Sequence, residues 1–300
     1  MSETCPKCGQ GLSLTTGWLI GSGQTQVLTC KNRGCQSAPK GFIPHISYSS
    51  LSSFLTCSES WRRKYVEKEP TRSTPALVFG SAFHDTMESY ITSRHTPGAN
   101  KTTLTATWAA KWAVAVESDK DTEWGVDTPE DHYADGVRIL TSPDVAKFAD
   151  TITPLRDDSG LFMERKITLQ VPGVPVPVIG YIDIVTSDGV PGDFKTSSMA
   201  WSDEKARQEI QPLFYLAALN QAGYTVPKLA FRHYVITKTK IPRLQIIENH
   251  HTWDEIFWLM TLVKSVWNGI EKEAFTLNPT SWLCTPKYCN FWSSCRGRGL

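Results

Sequence analysis

The stretch VPGDFKTS, Val190 to Ser197, follows the apolar run VIGYIDIV (178–185) after a turn at Ser187-Asp188-Gly189. A strand alternates its faces, so residues i and i+2 point the same way. On a strand over 190–196, Asp193 and Lys195 share one face and Phe194 takes the other. An ion pair at a strand end is worth little by itself. The sharper reading is half of a metal-dependent active site, and the surrounding sequence decides between the two. Residues 176–186 read as a second strand that forms a hairpin with 190–196. Asp183 is a lone acid framed by Ile182 and Ile184. A buried carboxylate is costly without a partner, and a divalent cation is a good one. The hairpin brings Asp183 near Asp193 and Lys195. Two carboxylates hold Mg²⁺ or Mn²⁺, and a lysine beside the metal orients a water or helps deprotonate it.

Working outward, LFMERKITLQ (161–170) reads as another strand and carries Glu164. LVFGSAFHDTMESYI (77–91) reads as a helix with His84 and Glu88 four apart on one face. DEKARQEIQPLFYLAALNQAG (203–223) reads as a helix with Gln211 and Tyr215 four apart, started or kinked by Pro212. LAFRHYVIT (229–237) is a further strand. Residues 97–135 carry Trp108, Trp112 and Val116 at helical spacing, the pattern of a packed core rather than of a base-stacking surface. WDEIFWLMTLVKSVWNGIEKE (253–273) is likewise a packing helix.

Among the 300 residues the hydrophobic fraction is 40%, the charged fraction 20% and the formal net charge +1. That is the balance of a globular protein with a real core. The absence of a global basic field argues against a coat-type nucleic-acid binder, but not against an enzyme whose positive charge is confined to a groove. The opening MSETCPKCGQ has neither the basic nor the apolar region of a leader, and no run nears the length of a membrane span. The expectation is a cytoplasmic protein with no membrane association. In a reducing compartment the eight cysteines are better explained as metal ligands than as disulfides.

The cysteines form two sets. Cys5 and Cys8, then Cys30 and Cys35, make two knuckles around two short strands, with Gly9 and Gly34 supplying turn freedom. This resembles a zinc ribbon with four thiolates on one Zn²⁺, a structural site on which so small a module would depend to fold. The second set is Cys57, alone in the helical pattern SYSSLSSFLTCSESWRRKYVEK, and Cys284, Cys289 and Cys295 near the end. One early and three late thiolates would tie the ends of a domain together. The arithmetic fits either a second zinc or an iron–sulfur cluster.

His84 in GSAFH, Asp183 in GYID, Asp193-Phe194-Lys195 and Gln211-Pro-Leu-Phe-Tyr215 follow the order of the RecB-like branch of the PD-(D/E)XK nuclease superfamily, which residues 46–296 resemble. The cysteine arrangement resembles the iron–sulfur staple of its AddB-like and CRISPR-associated exonuclease members. The resemblance implies an α/β fold, a mixed central sheet flanked by helices, with a helical insertion (97–150) in a nuclease domain (43–300) behind a zinc ribbon (1–42). It implies that Asp183, Asp193 and the Phe194 carbonyl hold Mg²⁺ or Mn²⁺, with His84 completing the coordination or holding a second ion. Lys195 would position the attacking water and stabilise charge on the phosphate, and Gln211 and Tyr215 would support Lys195 or contact the DNA backbone. Glu88 and Glu164 are second-layer or solvated acids in this reading. Cys57, Cys284, Cys289 and Cys295 would bind a 4Fe-4S cluster. The expected function is a metal-dependent DNA exonuclease acting on single strands or ends. The alternative is a non-catalytic DNA-binding scaffold, or a nuclease subunit that depends on a helicase, annealing or recombination partner. No phosphate-binding G-x-x-x-x-G-K-[ST] loop occurs, so any motor is a separate protein. Two departures stand out: Pro212 inside the Gln-x-x-x-Tyr motif, and Gly192 where an apolar strand residue is expected.

Overall fold

A computed structural model describes residues 4–32 and 37–298. In chain order the elements begin with β1 (Leu12–Leu19), β2 (Gly23–Cys30), β3 (Phe42–Ile43) and β4 (Ile46–Ser47). Helices α1 (Tyr48–Thr56), α2 (Ser58–Trp61), α3 (Pro75–His95), α4 (Leu104–Ser118), α5 (Pro129–Leu140) and α6 (Pro143–Thr151) follow. Then come β5 (Arg156–Asp157), β6 (Gly160–Leu161), β7 (Met163–Leu169), β8 (Val178–Val185) and β9 (Pro191–Ser197). The chain continues through α7 (Asp203–Gln208), α8 (Gln211–Gln221), β10 (Ala230–Thr237), β11 (Leu244–His250) and α9 (Trp253–Glu271). It divides into two compact units: 1–71 with 168–180 and 257–300, and 72–167 with 181–256.

In the first unit β1 and β2 pair antiparallel from Leu12↔Cys30 to Leu19↔Gly23, and β3 adds to β1. Gly9 adopts φ +72°, the conformation that the first cysteine turn requires. Gly34 and Cys35 lie outside the described residues. β4 runs parallel to the start of β8, with Ile46 opposite Val178.

The continuous helix expected around Cys57 is in fact broken there. Cys57 is extended at φ −163° and ψ 105°, between α1 and α2, and Arg62–Val66 then winds as a π-helical turn. The break has a tertiary cause. Ser58 Oγ accepts from the Thr276 N–H at 2.7 Å and donates to the Thr276 carbonyl at 3.2 Å.

The second unit carries the mixed sheet. β8 and β9 pair antiparallel (Ile184↔Gly192), β9 and β10 parallel (Lys195↔Val235), and β10 and β11 antiparallel. β7 pairs with β8. The parallel step needs a crossover, which α7 and α8 provide. The single helix expected over 203–223 is two, because Glu209 is extended and ends α7. Pro212 lies in the first turn of α8, where its missing N–H costs nothing.

Helices α3 to α6 pack on the sheet around buried Phe79, Phe83, Trp108, Ile139, Phe148 and Phe194. Trp108 and Trp112 are core residues, with ring centroids 5.2 Å apart.

Gly192 is explained by its neighbour on β10. A Cβ there would stand 2.4 Å from Tyr234 Cε2 and 3.1 Å from the Arg232 carbonyl. Tyr234 is buried, with its ring centroid 4.9 Å from that of Phe148 and 5.6 Å from that of Phe194, both rings tilted against it. Gly192→Ala is therefore expected to destabilise the protein by about 1–3 kcal/mol through overpacking. A lower chemical-denaturation midpoint checks this, and an unchanged midpoint contradicts it.

Candidate active site

Asp183 and Asp193 lie one step along the ladder from Ile184↔Gly192, on adjacent antiparallel strands. Both are buried, Asp193 with 1% and Asp183 with 5% of its surface exposed. The Phe194 N–H donates to Asp183 Oδ2 at 2.6 Å, so the β9 backbone fixes this carboxylate. The Phe194 ring points into the core.

His84, on the third turn of α3, places Nδ1 3.2 Å from Asp183 Oδ2 and 3.8 Å from Glu164 Oε1. One ligand atom from each of His84, Glu164 and Asp183 lies within 4.8 Å of the others. Glu164 is one of the two acids, with Glu88, to which sequence reasoning gives least weight. It sits in β7 at φ +41°, left-handed backbone that a non-glycine residue adopts at a cost of about 1–3 kcal/mol. The only sequence signal was a lone acid near the start of an apolar strand. Glu88 stays outside this group; burial and the Glu164 charge raise its pKa.

Asp193 faces Lys195 instead. Lys195 Nζ is 2.7 Å from Asp193 Oδ2, close enough for strong attraction. That oxygen nonetheless makes no aligned hydrogen bond, so the contact is an ion pair by distance and leaves Oδ2 open to a further cation. Lys195 Nζ donates to Gln211 Oε1 at 2.8 Å, Gln211 Nε2 donates to Tyr215 Oη at 2.7 Å, and Tyr215 Oη donates to the Tyr181 carbonyl at 2.6 Å. The crossover helix thus aims the lysine through a chain of neutral groups. Burial raises the Tyr215 pKa well above its usual range, so it stays a donor.

Electrostatics favour a cation here. Burial pushes the Asp183 carboxyl upward, reinforced by Asp193 and Glu164 and opposed by His84. Burial disfavours a charged His84, yet Asp183, Glu164 and Asp193 hold its pKa well above the ordinary value. Carboxylate oxygens with one imidazole suit Mg²⁺ or Mn²⁺ as a donor set. The residues present fit a divalent ion.

His233, which pairs with Asp193 across the β9–β10 ladder, is fully buried, and neither ring nitrogen finds a hydrogen bond. Burial lowers its pKa to about 4. The unfolded chain takes up this proton near pH 6.5 and the folded chain only near pH 4. Stability is therefore complete above about pH 6.5 and falls by about 3 kcal/mol as pH drops toward 4. Melting at pH 7 and pH 4.5 should show a smaller acid loss in His233→Phe than in the parent. Equal losses refute the assignment.

No helix among the described residues is long and apolar enough to cross a membrane. A search of curated proteins finds no match. A crystal structure of a "putative exonuclease" from Eubacterium rectale shares the fold, with a TM-score of 0.53, 13% identity, and coverage of 85% of this chain and 88% of that one. A family model for the PD-(D/E)XK nuclease superfamily matches residues 45–296, which include every active-site residue described above. The chain belongs to the PD-(D/E)XK nuclease superfamily.

Proposed function

We propose that the protein is a Mg²⁺- or Mn²⁺-dependent deoxyribonuclease that hydrolyses phosphodiesters at DNA ends or in single strands. The observation that carries this is Lys195, held between Asp193 and Gln211 beside the group of His84, Glu164 and Asp183. His84, Glu164 and Asp183 would hold the divalent ion, with Asp193 and the Phe194 carbonyl as further oxygens. The ion would supply Lewis acidity and a more acidic bound water. Lys195 would orient the attacking water and offset charge that develops on the phosphate. Gln211 and Tyr215 hold that ammonium in line. A protein that kept the fold only as a scaffold would have no use for this aligned chain.

The two cysteine sets are read as two different centres. Cys5, Cys8 and Cys30 draw together, with the Cys8 and Cys30 sulfurs 3.3 Å apart. A tetrahedral zinc with Zn–S near 2.3 Å needs sulfurs about 3.8 Å apart, so this group suits Zn²⁺ in a ribbon over 1–42, with Cys35 as the fourth ligand. Cys57, Cys284, Cys289 and Cys295 instead line a cavity of about 220 Å³. No three of these sulfurs reach single-ion spacing. The wider cavity supports a 4Fe-4S cluster, with Cys57 turned toward it by the break between α1 and α2.

Anaerobic purification tests the whole reading. The visible spectrum, iron, sulfide and zinc contents, and Mn²⁺-dependent digestion of end-labelled single-stranded DNA are recorded together. Brown protein with iron, one zinc and digestion is the expected result. Colourless protein with two zincs removes the cluster and keeps the nuclease. Iron without digestion of any DNA form overturns the nuclease and favours a scaffold or a subunit that needs a partner.

A further inference from the structure

The β10–β11 turn, TKTKIPR (237–243), is not used by the chemistry above, yet it stands beside it. β9 and β10 run parallel with Lys195 opposite Val235 and Ser197 opposite Thr237. The turn therefore begins about 7 Å beyond the level of Lys195 and about 5 Å across. The Lys238 N–H donates to the Ser197 carbonyl at 2.7 Å, which ties the turn to the strand that carries Lys195. Its shape is fixed internally. The Arg243 N–H donates to Thr237 Oγ1 at 3.0 Å, Thr239 Oγ1 donates to the Ile241 carbonyl at 2.7 Å, and Pro242 is buried.

What the turn presents is chemically specific. Lys240 and Arg243 are exposed, and among the described residues neither has an ion-pair partner. Ile241 between them is 71% exposed. No acid occurs in 194–202 or 233–247, in a chain whose net charge is only +1. A large apolar side chain held in water by a rigid turn and flanked by two cations suits a nucleic-acid strand, whose phosphates take the cations and whose bases take the apolar group.

We infer that this turn grips the DNA strand entering the active site, with Lys240 and Arg243 on backbone phosphates and Ile241 against a base. The inference rests on the nuclease reading and names how its substrate is held. The test measures binding of fluorescent single-stranded DNA across a salt series, in an Asp193→Asn background so that nothing is cut. Lys240→Ala/Arg243→Ala is expected to weaken binding at least tenfold. It should also reduce the slope of log K against log salt by about 1.4, the loss of two single-strand phosphate contacts. Ile241→Ala should weaken binding without changing that slope, which a purely electrostatic role does not predict. Melting curves verify that each variant is folded. Unchanged affinity and slope overturn the inference even when the parent digests DNA. A parent that binds DNA but never cuts it overturns the nuclease reading and leaves the turn to be judged on the binding data alone. A parent that binds no DNA overturns both.

Discussion

Lys195→Ala is expected to lower the rate of DNA hydrolysis by about 10²–10⁴-fold, the range for removing a positioned proton-transfer or charge-stabilising group. The ammonium is fixed from two sides, by the Asp193 carboxylate at 2.7 Å and by Gln211 Oε1 at 2.8 Å. The hydrogen-bonded chain behind it, through Gln211 and Tyr215, is neutral and supplies no replacement charge. The same substitution removes the cation beside Asp193, which is 1% exposed. Stripping one partner from a buried pair is destabilising, so melting is measured beside activity, with and without Mn²⁺. Gln211→Ala separates the two effects. It keeps the ammonium but frees its direction, and should cost less rate than Lys195→Ala with little loss of stability. Parental rates in Lys195→Ala would remove the lysine from the mechanism.

Trp108→Ala is expected to destabilise the protein by about 3–5 kcal/mol, the range for emptying a large aromatic site in a core, and to lower the melting temperature by about 10 °C. The indole is fully buried and its Nε1–H donates to the Tyr133 carbonyl at 3.1 Å. Phe79 lies 5.4 Å away between ring centroids. A Cβ on Gly136 would stand 2.1 Å from the ring, so the two residues fit as a matched pair. Gly136→Ala should be destabilising as well, because neither α5 nor a locked indole can yield by so much. A base-stacking tryptophan would behave oppositely, with DNA affinity lost and melting unchanged.

The parts of the site legible in the sequence are those set by local periodicity. Asp193 and Lys195 share a face because strands alternate. His84 and the Gln211–Tyr215 pair fall where helical spacing puts them. What escaped the sequence was decided at long range. Nothing in SYSSLSSFLTCSESW announces a break at Cys57, because its cause is a pair of hydrogen bonds to Thr276. Glu164 joins His84 and Asp183 through a left-handed backbone that no neighbouring residue type demands. Gly192 departs from the expected pattern because it answers the Tyr234 ring on another strand. Pro212 lay between two readings, and its place in a first turn shows that it starts α8 rather than bending it.

The parallel step from β9 to β10 has a consequence for the order of events in folding. The β8–β9 hairpin is local and can close in microseconds, which sets Asp183 and Asp193 side by side early. Lys195 acquires its aim only when α8 has swung over the sheet and β10 has docked, a non-local event of the kind that slows folding. Two carboxylates thus meet before the group that makes them useful is in place. We expect enzymatic activity to recover later than secondary structure on refolding from denaturant. Stopped-flow circular dichroism alongside a time course of DNA digestion would show the lag, and simultaneous recovery would show that the crossover forms together with the hairpin.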